Sequence, residues 1–269
     1  MHCLPMTKGF KTNSQPLLKA IAPNPSAKYR LICFPCAGGN ASMFSSWPEQ
    51  VPQDFEVFAL NAPGRGARFF ESPYTSMEEL VKNLLEDSHL LAEKPYAIFG
   101  HSLGARVGYE FIRRATARGL PMPLHFVASG SRAPNIPCFS SPTYTLSSDA
   151  FMQIIYDMDG IPDELRENKE MMALLEPTFR ADFQIAETYI GQVNKLACPI
   201  TALCGTEDCR VPATTVEQWQ AFTMYPITVK SYTGGHFFIN HNDAALRDIC
   251  MLLTKILAQS SGMGYREVS

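Results

Sequence analysis

The sequence has no apolar run long enough to cross a bilayer and no cluster of basic residues. A transmembrane helix needs about 20 consecutive apolar residues, so we expect no membrane-spanning segment. The 23 Lys and Arg residues are balanced by 26 Asp and Glu residues, and the net charge of −3 argues against nucleic-acid binding. The first residues also lack the apolar core of a signal peptide. We therefore expect a cytoplasmic, monomeric protein that binds neither nucleic acid nor membrane.

Metal-binding and nucleotide-binding motifs are missing as well. Cys33 and Cys36 form a Cys-x-x-Cys, but no second such pair and no histidine pair at ligand spacing accompanies it. We interpret Cys33 as a small buried hydrophobe, whereas Cys36 would be open to alkylation if it were exposed. The glycine-bearing loop at residues 37–40 has neither the spacing nor the lysine of a P-loop. We expect no metal and no cofactor.

What the sequence does contain is an alternation of strand-like and helical patterns. Strand-like runs lie at 29–34, 55–60, 95–100, 124–129, 199–204 and 227–232, and 17–22 could add an antiparallel strand before them. This order predicts an α/β fold with a mainly parallel sheet and helices on both faces. The length of 269 residues suits one domain over 1–269. Residues 1–13 and 260–269 are predicted to be loose tails.

Two helices are well marked, and one connection is unusually long. Thr75 and Glu78 form a capping box before an apolar stripe, and the last helix carries a similar stripe. About 70 residues separate the strand ending near 129 from the strand beginning near 199, far more than such a connection needs. Helical patterns at 149–158, 170–175 and 177–192 fill it. We interpret residues 135–197 as a helical lid, the alternative being a purely structural insertion.

The residues Gly100-His101-Ser102-Leu103-Gly104 lie between an apolar strand and a helix. This is the setting of a nucleophile elbow, in which a sharp turn exposes the serine hydroxyl and leaves no room for a Cβ at either glycine. The alternative is an ordinary strand-to-helix loop. We expect Ser102 to be a nucleophile and His101 to be a packing residue. The fold class that these features indicate is the α/β-hydrolase fold.

A serine needs a base, and the base needs an orienting acid. In the chain order of this fold the histidine comes last. His236 follows a glycine-rich loop after the final strand-like run and is our candidate base, whereas His241 lies beside capping residues of the last helix. The loop after the preceding strand carries two adjacent carboxylates. The candidate acid is one of these two, Asp208 or Glu207.

Attack on an acyl carbonyl also requires backbone N–H donors for the oxyanion. One donor should be the N–H of Leu103, directly after the nucleophile. The second should come from the loop Pro35-Cys36-Ala37-Gly38-Gly39-Asn40, where the glycine pair lets the backbone approach a ligand closely. We choose Ala37 for this donor.

With these motifs in place, the chain resembles the type II thioesterases that accompany nonribosomal peptide and polyketide synthases. The resemblance covers residues 16–258 and rests on these segments: Phe34 to Gly39, Pro63-Gly64-Arg65 with Arg68, Gly100 to Ala105, Arg180-Ala181-Asp182, Gly205 to Asp208, and Gly235-His236-Phe237-Phe238. In that family the residues matching Ser102, Asp208 and His236 are catalytic, and the amides matching Ala37 and Leu103 form the oxyanion hole. Cys36 departs from the family, which more often has histidine or tyrosine there.

The resemblance implies a hydrolase that removes acyl groups from the phosphopantetheine arm of carrier proteins, an editing activity in which the arm arrives with the substrate. Arg65 and Arg68, in loops near the expected site entrance, are candidates for contact with an acidic carrier. The alternative is that they pair within the fold. Cys36 and Phe237 are candidate substrate contacts. Two other functions remain open, a stand-alone medium-chain acyl thioesterase and a non-enzymatic binding protein on a hydrolase scaffold.

Overall fold

The described residues form one seven-stranded sheet, which positions the site. A computed structural model describes residues 15–138, 141–158 and 160–262. The strands are β1 (Leu18–Ala20), β2 (Tyr29–Phe34), β3 (Phe55–Leu60), β4 (Tyr96–His101), β5 (His125–Ser129), β6 (Ile200–Gly205) and β7 (Thr228–Tyr232). They lie in the order β1-β3-β2-β4-β5-β6-β7, with β1 antiparallel to β3 and the other neighbouring pairs parallel. The predicted mainly parallel sheet with an antiparallel first strand is confirmed.

Helices cover both faces of this sheet. They are α1 (Trp47–Gln50), α2 (Met77–Leu84), α3 (His89–Glu93), α4 (Leu103–Ala117), α5 (Ser148–Tyr156), α6 (Asp163–Glu167), α7 (Lys169–Thr188), α8 (Ala213–Val216), α9 (Phe238–His241) and α10 (Asp243–Gly262). The apolar side chains of α2 and α4 join Ile32 and Phe34 in one core, and those of α1 and α10 join Leu31 and Cys33 in another. Because β2 is buried on both faces, its residues 31–34 form a continuous apolar run and not an alternating one.

The chain reverses its direction of travel across the sheet at β2. Strand β3 pairs with one side of β2, and β4 pairs with the other side. At such a switch point the loops after the two strands diverge and leave a crevice at the carboxyl edge of the sheet. The loop after β2 contains residues 35–40, and the turn after β4 contains Ser102, so the crevice lies between the two segments that the sequence singles out.

The long connection between β5 and β6 contains α5, α6 and α7, which have an apolar cluster of their own. The sequence predicts two helices separated near Pro177, but α7 is continuous through Pro177. Proline lacks an N–H and so removes one helical hydrogen bond. The helix continues because the turn that follows is fixed by burial of Thr178, Phe179 and Asp182. The short helix α6 was not predicted.

Two helix ends also differ from the predictions. Helix α2 is capped by Ser76, whose Oγ accepts the N–H of Glu79 at 3.2 Å, so the expected Thr75–Glu78 box is wrong by one residue. The predicted apolar stripe of α2 is buried, as expected. Helix α10 continues to Gly262, and residues 260–262 therefore belong to a helix where a tail was predicted. The rest of both predicted tails lies outside the described residues.

Candidate active site

Ser102 occupies a turn that only this arrangement of glycines permits. Its φ is 54°, and among the described residues it is the one non-glycine residue with a positive φ. A Cβ on Gly100 would lie 2.5 Å from the Gly104 carbonyl oxygen, and a Cβ on Gly104 would lie 2.1 Å from the Phe34 carbonyl oxygen. Strand β4, helix α4 and the end of β2 therefore meet without side chains between them. The expected elbow geometry is present.

Three side chains form a continuous hydrogen-bonded chain. His236 Nε2 lies 2.9 Å from Ser102 Oγ, and His236 Nδ1 lies 2.7 Å from Asp208 Oδ2. A carboxylate can only accept hydrogen bonds, so Nδ1 carries the proton and Nε2 is left to accept from the serine hydroxyl. The second oxygen, Asp208 Oδ1, accepts the N–H groups of Arg210 at 2.9 Å and Val211 at 3.1 Å. This arrangement can deprotonate a serine during attack.

Close backbone contact brings the acid and the base together. A Cβ on Gly205 would lie 2.4 Å from the Gly235 carbonyl oxygen, so the end of β6 and the loop after β7 can touch only because residue 205 is glycine. Asp208 is buried, whereas Glu207 is exposed. The geometry therefore joins Asp208, and not Glu207, to His236. The other candidate base, His241, is exposed in α9 and takes no part in the chain of hydrogen bonds.

His101 lies beneath the candidate base as a buried neutral ring. Its centroid is 5.3 Å from that of His236, and its Nδ1 lies 3.0 Å from Ser129 Oγ. Burial, and secondarily the neighbouring His236, lower the pKa of His101 well below its ordinary value of 6.5. The interpretation of His101 as a packing residue agrees with these contacts.

The loop after β2 and the first turn of α4 carry the candidate oxyanion donors. Neither the Ala37 N–H nor the Leu103 N–H donates to a carbonyl or side chain of the described residues. The neighbouring Gly38 N–H differs, because it donates to Asp182 Oδ2 at 2.7 Å. Both predicted N–H groups are therefore unoccupied by protein acceptors among the described residues, as oxyanion donors must be.

A cavity of about 850 Å³ adjoins this chain of residues. Its wall includes Ala37 of the oxyanion loop and Phe237, the residue after the candidate base. Helices α5, α6 and α7 and their connections contribute its apolar part, namely Ile155, Met158, Ile161, Pro162, Leu165, Met171, Leu175, Phe179 and Phe183. The loop after β2, α1, α9 and the start of α10 contribute a mixed part, in which the polar Asn40, Ser42, Ser46, Gln50, Asn240, Asn242 and Asp243 lie beside the apolar Met43, Trp47, Ile239 and Leu246. The cavity is therefore apolar beneath the inserted helices and of mixed polarity on the opposite side.

Phe237 and Cys36 both line this cavity. The Phe237 ring lies edge-on to His236 at 5.1 Å, and Gly160 of the inserted segment is close enough that a Cβ there would be 2.2 Å from the ring. Cys36 and Cys33 are free thiols. Burial, and secondarily the Asp182 carboxylate, raise the pKa of Cys36 to about 12. Thiolate is the reactive form of cysteine, and the raised pKa disfavours that form at neutral pH.

The expectation that Arg65 and Arg68 present positive charge to a partner is wrong. Both side chains are buried. Arg65 donates to both oxygens of Asp182 on α7, at 2.6 and 2.8 Å. Arg68 donates to both oxygens of Glu71, at 2.8 and 2.5 Å, and to the Asn61 carbonyl oxygen at 2.9 Å. A guanidinium removed from water needs an anionic partner, and the fold supplies one to each.

Asp182 is the residue of the site whose role sequence reasoning missed. It belongs to the Arg180-Ala181-Asp182 segment, which was noted only as part of a resemblance. Ala181 and Ile185 are buried on the same stretch of α7. A carboxylate on the buried side of an amphipathic helix requires a cationic partner, and this signal could have paired it with an arginine elsewhere in the chain.

Two further observations concern ligands and membranes. Within residues 15–138, 141–158 and 160–262, no group of three or more His, Cys, Asp or Glu side chains is placed to hold a metal ion. Over the same part of the chain, no helix combines the length and apolarity needed to cross a bilayer.

Comparison with known proteins identifies the fold and the family. The thioesterase domain family matches residues 29–256. The gramicidin S biosynthesis protein GrsT of Aneurinibacillus migulanus is 34% identical over 237 residues, which cover 87% of this chain and 93% of GrsT.

Solved structures give the same result. The RedJ thioesterase of the prodiginine pathway in Streptomyces coelicolor is 34% identical with a TM-score of 0.79, over 89% of this chain and 95% of RedJ. The type II thioesterase BorB of the borrelidin cluster is 30% identical with a TM-score of 0.80, over 90% of this chain and all of BorB (100%). The expected α/β-hydrolase fold and the resemblance to type II thioesterases are confirmed.

Proposed function

Because this chain belongs to the thioesterase domain family, we propose that it hydrolyses acyl thioesters carried on the phosphopantetheine arm of carrier proteins. Its relatives include type II thioesterases of peptide and polyketide pathways, so the activity is one of editing or release in such a pathway. The observation that carries the proposal is the hydrogen-bonded series Ser102–His236–Asp208 beside a cavity roofed by the inserted helices.

In the first half of the reaction, Ser102 Oγ attacks the thioester carbonyl carbon while His236 Nε2 accepts the hydroxyl proton. Negative charge forms on the carbonyl oxygen, where the N–H groups of Ala37 and Leu103 stabilise it. Loss of one such donor typically lowers kcat on the order of 10²- to 10³-fold. The C–S bond then breaks, the proton on His236 passes to the leaving sulfur, and an acyl-serine remains.

In the second half, a water molecule takes the place of the thiol. His236 accepts its proton as the oxygen attacks the acyl carbon, the same two N–H groups bind the oxyanion, and the bond to Ser102 Oγ breaks. The proton on His236 returns to Oγ, and a carboxylic acid is released. Asp208 stabilises the imidazolium in both halves through its bond to Nδ1. Ser102, His236, Asp208 and backbone N–H groups supply every role, so the mechanism uses no metal and no organic cofactor.

The uneven distribution of polar side chains in the cavity wall supports a specific placement of the substrate. The apolar part beneath α5, α6 and α7 suits the acyl chain, because burial of each methylene contributes roughly 0.8 kcal/mol. The polar side chains of the mixed part, among them Asn40, Ser42 and Gln50, suit the amide groups of the pantetheine arm. Helices α5 to α7 then act as the lid through which acyl groups reach Ser102. Gly160 against Phe237 links this lid to the loop of the base.

The partner in this proposal is a carrier protein of a cytoplasmic synthase, and the enzyme acts as a monomer. With Arg65 and Arg68 paired inside the fold, recognition falls to the pantetheine arm and to other surface residues around the cavity mouth. Light scattering of the protein, alone and with a carrier domain, tests the monomeric state and the 1:1 complex.

The test compares three substrates that share one acyl group: an acyl-carrier protein, the matching acyl-CoA and a simple oxygen ester. We expect kcat/KM to be highest for the carrier, and Ser102→Ala to hydrolyse none of the three. Equal kcat/KM on carrier and CoA would replace the proposal with a stand-alone acyl thioesterase. If the wild-type protein neither hydrolyses a thioester nor reacts with a fluorophosphonate, it is a binding protein on a hydrolase scaffold.

A further inference from the structure

We propose that Asp182 and Arg65 form a clamp that positions the oxyanion loop, so that the inserted helix α7 helps to set the catalytic rate as well as covering the site. The proposal rests on the function proposed above. It makes both residues positioning residues, since neither contacts the reacting atoms. The clamp consists of Asp182 on α7, Arg65 in the loop after β3, and the backbone of Gly38 and Gly39.

The loop that the clamp holds is a β-turn. The Gly39 N–H donates to the Cys36 carbonyl oxygen at 3.0 Å, so Cys36 to Gly39 are its four residues. Gly38, in the third position, has a φ of 72°, and Ala37 has no positive φ. These values define a type II turn. The central peptide of such a turn can flip to the type I orientation, which would exchange the directions of the Ala37 carbonyl and the Gly38 N–H beside the candidate oxyanion hole.

The clamp fixes that peptide by direct hydrogen bonds. Asp182 Oδ2 accepts the Gly38 N–H at 2.7 Å, and Arg65 Nη1 donates to the Gly39 carbonyl oxygen at 3.0 Å. The two side chains are joined through both carboxylate oxygens, at 2.6 and 2.8 Å, and are 7% and 8% exposed. Asp182 thus holds the Gly38 N–H and Arg65 holds the Gly39 carbonyl, in a site with little competing water.

Two neighbouring contacts show that α7 is seated directly on this loop. A Cβ on Gly38 would lie 2.4 Å from the Phe179 ring, so the helix touches the turn at a position where only glycine fits. Thr178 Oγ1 donates to the Gly64 carbonyl oxygen at 2.6 Å, next to Arg65. Thr178, Phe179 and Asp182 lie within one and a half turns of α7, so a shift of this part of the helix would release the whole clamp.

The clamp also neutralises the Asp182 carboxylate, a negative charge near the oxyanion hole that would otherwise oppose catalysis. A carboxylate bonded to the peptide next to Ala37 would repel an oxyanion. Arg65 neutralises it through the bidentate pair, leaving the N–H dipoles of Ala37 and Leu103 to dominate there. The acid can therefore hold the turn without weakening the stabilisation of the transition state.

The test uses Asp182→Ala and Asp182→Asn against a matched control, Glu71→Ala. Glu71 forms the same kind of bidentate pair with Arg68 in the same loop but does not contact residues 36–39. We expect Asp182→Ala to lower kcat by up to about 10²-fold with KM changed less than threefold. Asp182→Asn, which retains an acceptor for the Gly38 N–H, should show a smaller loss of kcat. Glu71→Ala should keep kcat within about threefold of the wild-type value.

A purely structural role would not change the discrimination between ligand types, so binding is measured with two probes. A trifluoromethyl ketone adds to Ser102 and places an oxyanion in the hole, whereas a thioether analogue of the substrate does not. If the clamp acts as proposed, Asp182→Ala weakens binding of the ketone by the same factor by which kcat/KM falls. Binding of the thioether stays unchanged. If Asp182→Ala does not fold, Asp182→Asn carries the same comparison.

Three results would overturn the proposed clamp. They are full kcat in both Asp182 variants, equal losses of kcat in Asp182→Ala and Glu71→Ala, or equally weakened binding of the ketone and the thioether in Asp182→Ala. These differ from failure of the proposed function, in which the wild-type protein itself would neither hydrolyse thioesters nor react with a fluorophosphonate. A reactive wild type with unaffected Asp182 variants refutes the clamp alone.

Discussion

Replacing Asp208 by asparagine is the sharpest test of the site, because the surroundings fix how the new amide must sit. The side-chain carbonyl oxygen of the Asp208→Asn variant would keep the position of Asp208 Oδ1, where it accepts the N–H groups of Arg210 and Val211. Its NH₂ group would then face His236 Nδ1, in place of the oxygen now 2.7 Å away. A donor at this point selects the tautomer with its proton on Nε2, which cannot accept the proton of Ser102.

The size of the effect follows from that change of tautomer. In serine hydrolases the wrong tautomer lowers kcat by about 10⁴-fold, which corresponds to roughly 5.4 kcal/mol of transition-state stabilisation. Stability should change little, because the amide has the shape of the carboxylate and retains both backbone bonds. We therefore expect a folded protein with a wild-type melting temperature and almost no turnover.

The assay measures kcat on an acyl-carrier thioester and the rate of fluorophosphonate labelling, with Glu207→Gln as control. Glu207 is exposed and adjacent in sequence, so its amide variant should keep kcat within about twofold. Turnover by Asp208→Asn above a tenth of wild type would refute the reasoning, and so would a larger loss in Glu207→Gln than in Asp208→Asn.

Four further outcomes are expected. Ser102→Ala should lose fluorophosphonate labelling and turnover while remaining folded; labelled protein would show another nucleophile. Burial lowers the pKa of His125 to about 4, below the value of roughly 6.5 in the unfolded chain. The free energy of unfolding should therefore be at its full value above pH 6.5 and fall as the pH drops, by about 2 kcal/mol at pH 5. Urea midpoints at pH 7 and pH 5 should show this decrease, and it should be smaller in His125→Gln. Hydrogen exchange should be faster in α5 and α6 than in the half of α7 after Pro177, which bonds to the core; uniform protection would argue against a gate. Arg68→Glu should lower the melting temperature by several degrees, because it places a carboxylate in the buried position of Arg68, beside Glu71, and calorimetry that shows no change would contradict the burial of Arg68.

Much of the fold was readable because its signals are local. A strand buried on both faces is a continuous apolar run, and the elbow is a five-residue pattern whose glycines are required by contacts within β4, α4 and the end of β2. Helix ends were less certain, since Thr75 and Ser76 each precede an acidic residue by three positions and either could cap α2. The structure uses Ser76 because its Oγ reaches the Glu79 N–H.

The wrong prediction for Arg65 and Arg68 shows where inference from neighbouring residues in sequence fails. Arg65 lies in a polar loop, which is typical of an exposed residue, and nothing nearby in sequence indicates its partner. Asp182 is 117 residues away, on a helix whose position depends on how the whole insertion folds back. The predicted break of the helix near Pro177 was wrong for the same reason. Burial of the residues after Pro177, which depends on distant parts of the chain, outweighs the missing hydrogen bond. The roles of Ser102, Asp208 and His236 remain predictions that the proposed variants would test.

The backbone at Ser102 has a consequence for how this protein can change over evolutionary time. With φ near 54° and ψ near −117°, the nucleophile lies in a region that is almost restricted to glycine. Such a conformation costs on the order of 1–3 kcal/mol, a sizeable part of the roughly 5–15 kcal/mol that holds a typical domain folded. Selection for thermal tolerance alone would therefore drive position 102 towards glycine. The serine persists only under continued demand for hydrolysis, and a lineage released from that demand would gain stability at the moment it lost its chemistry.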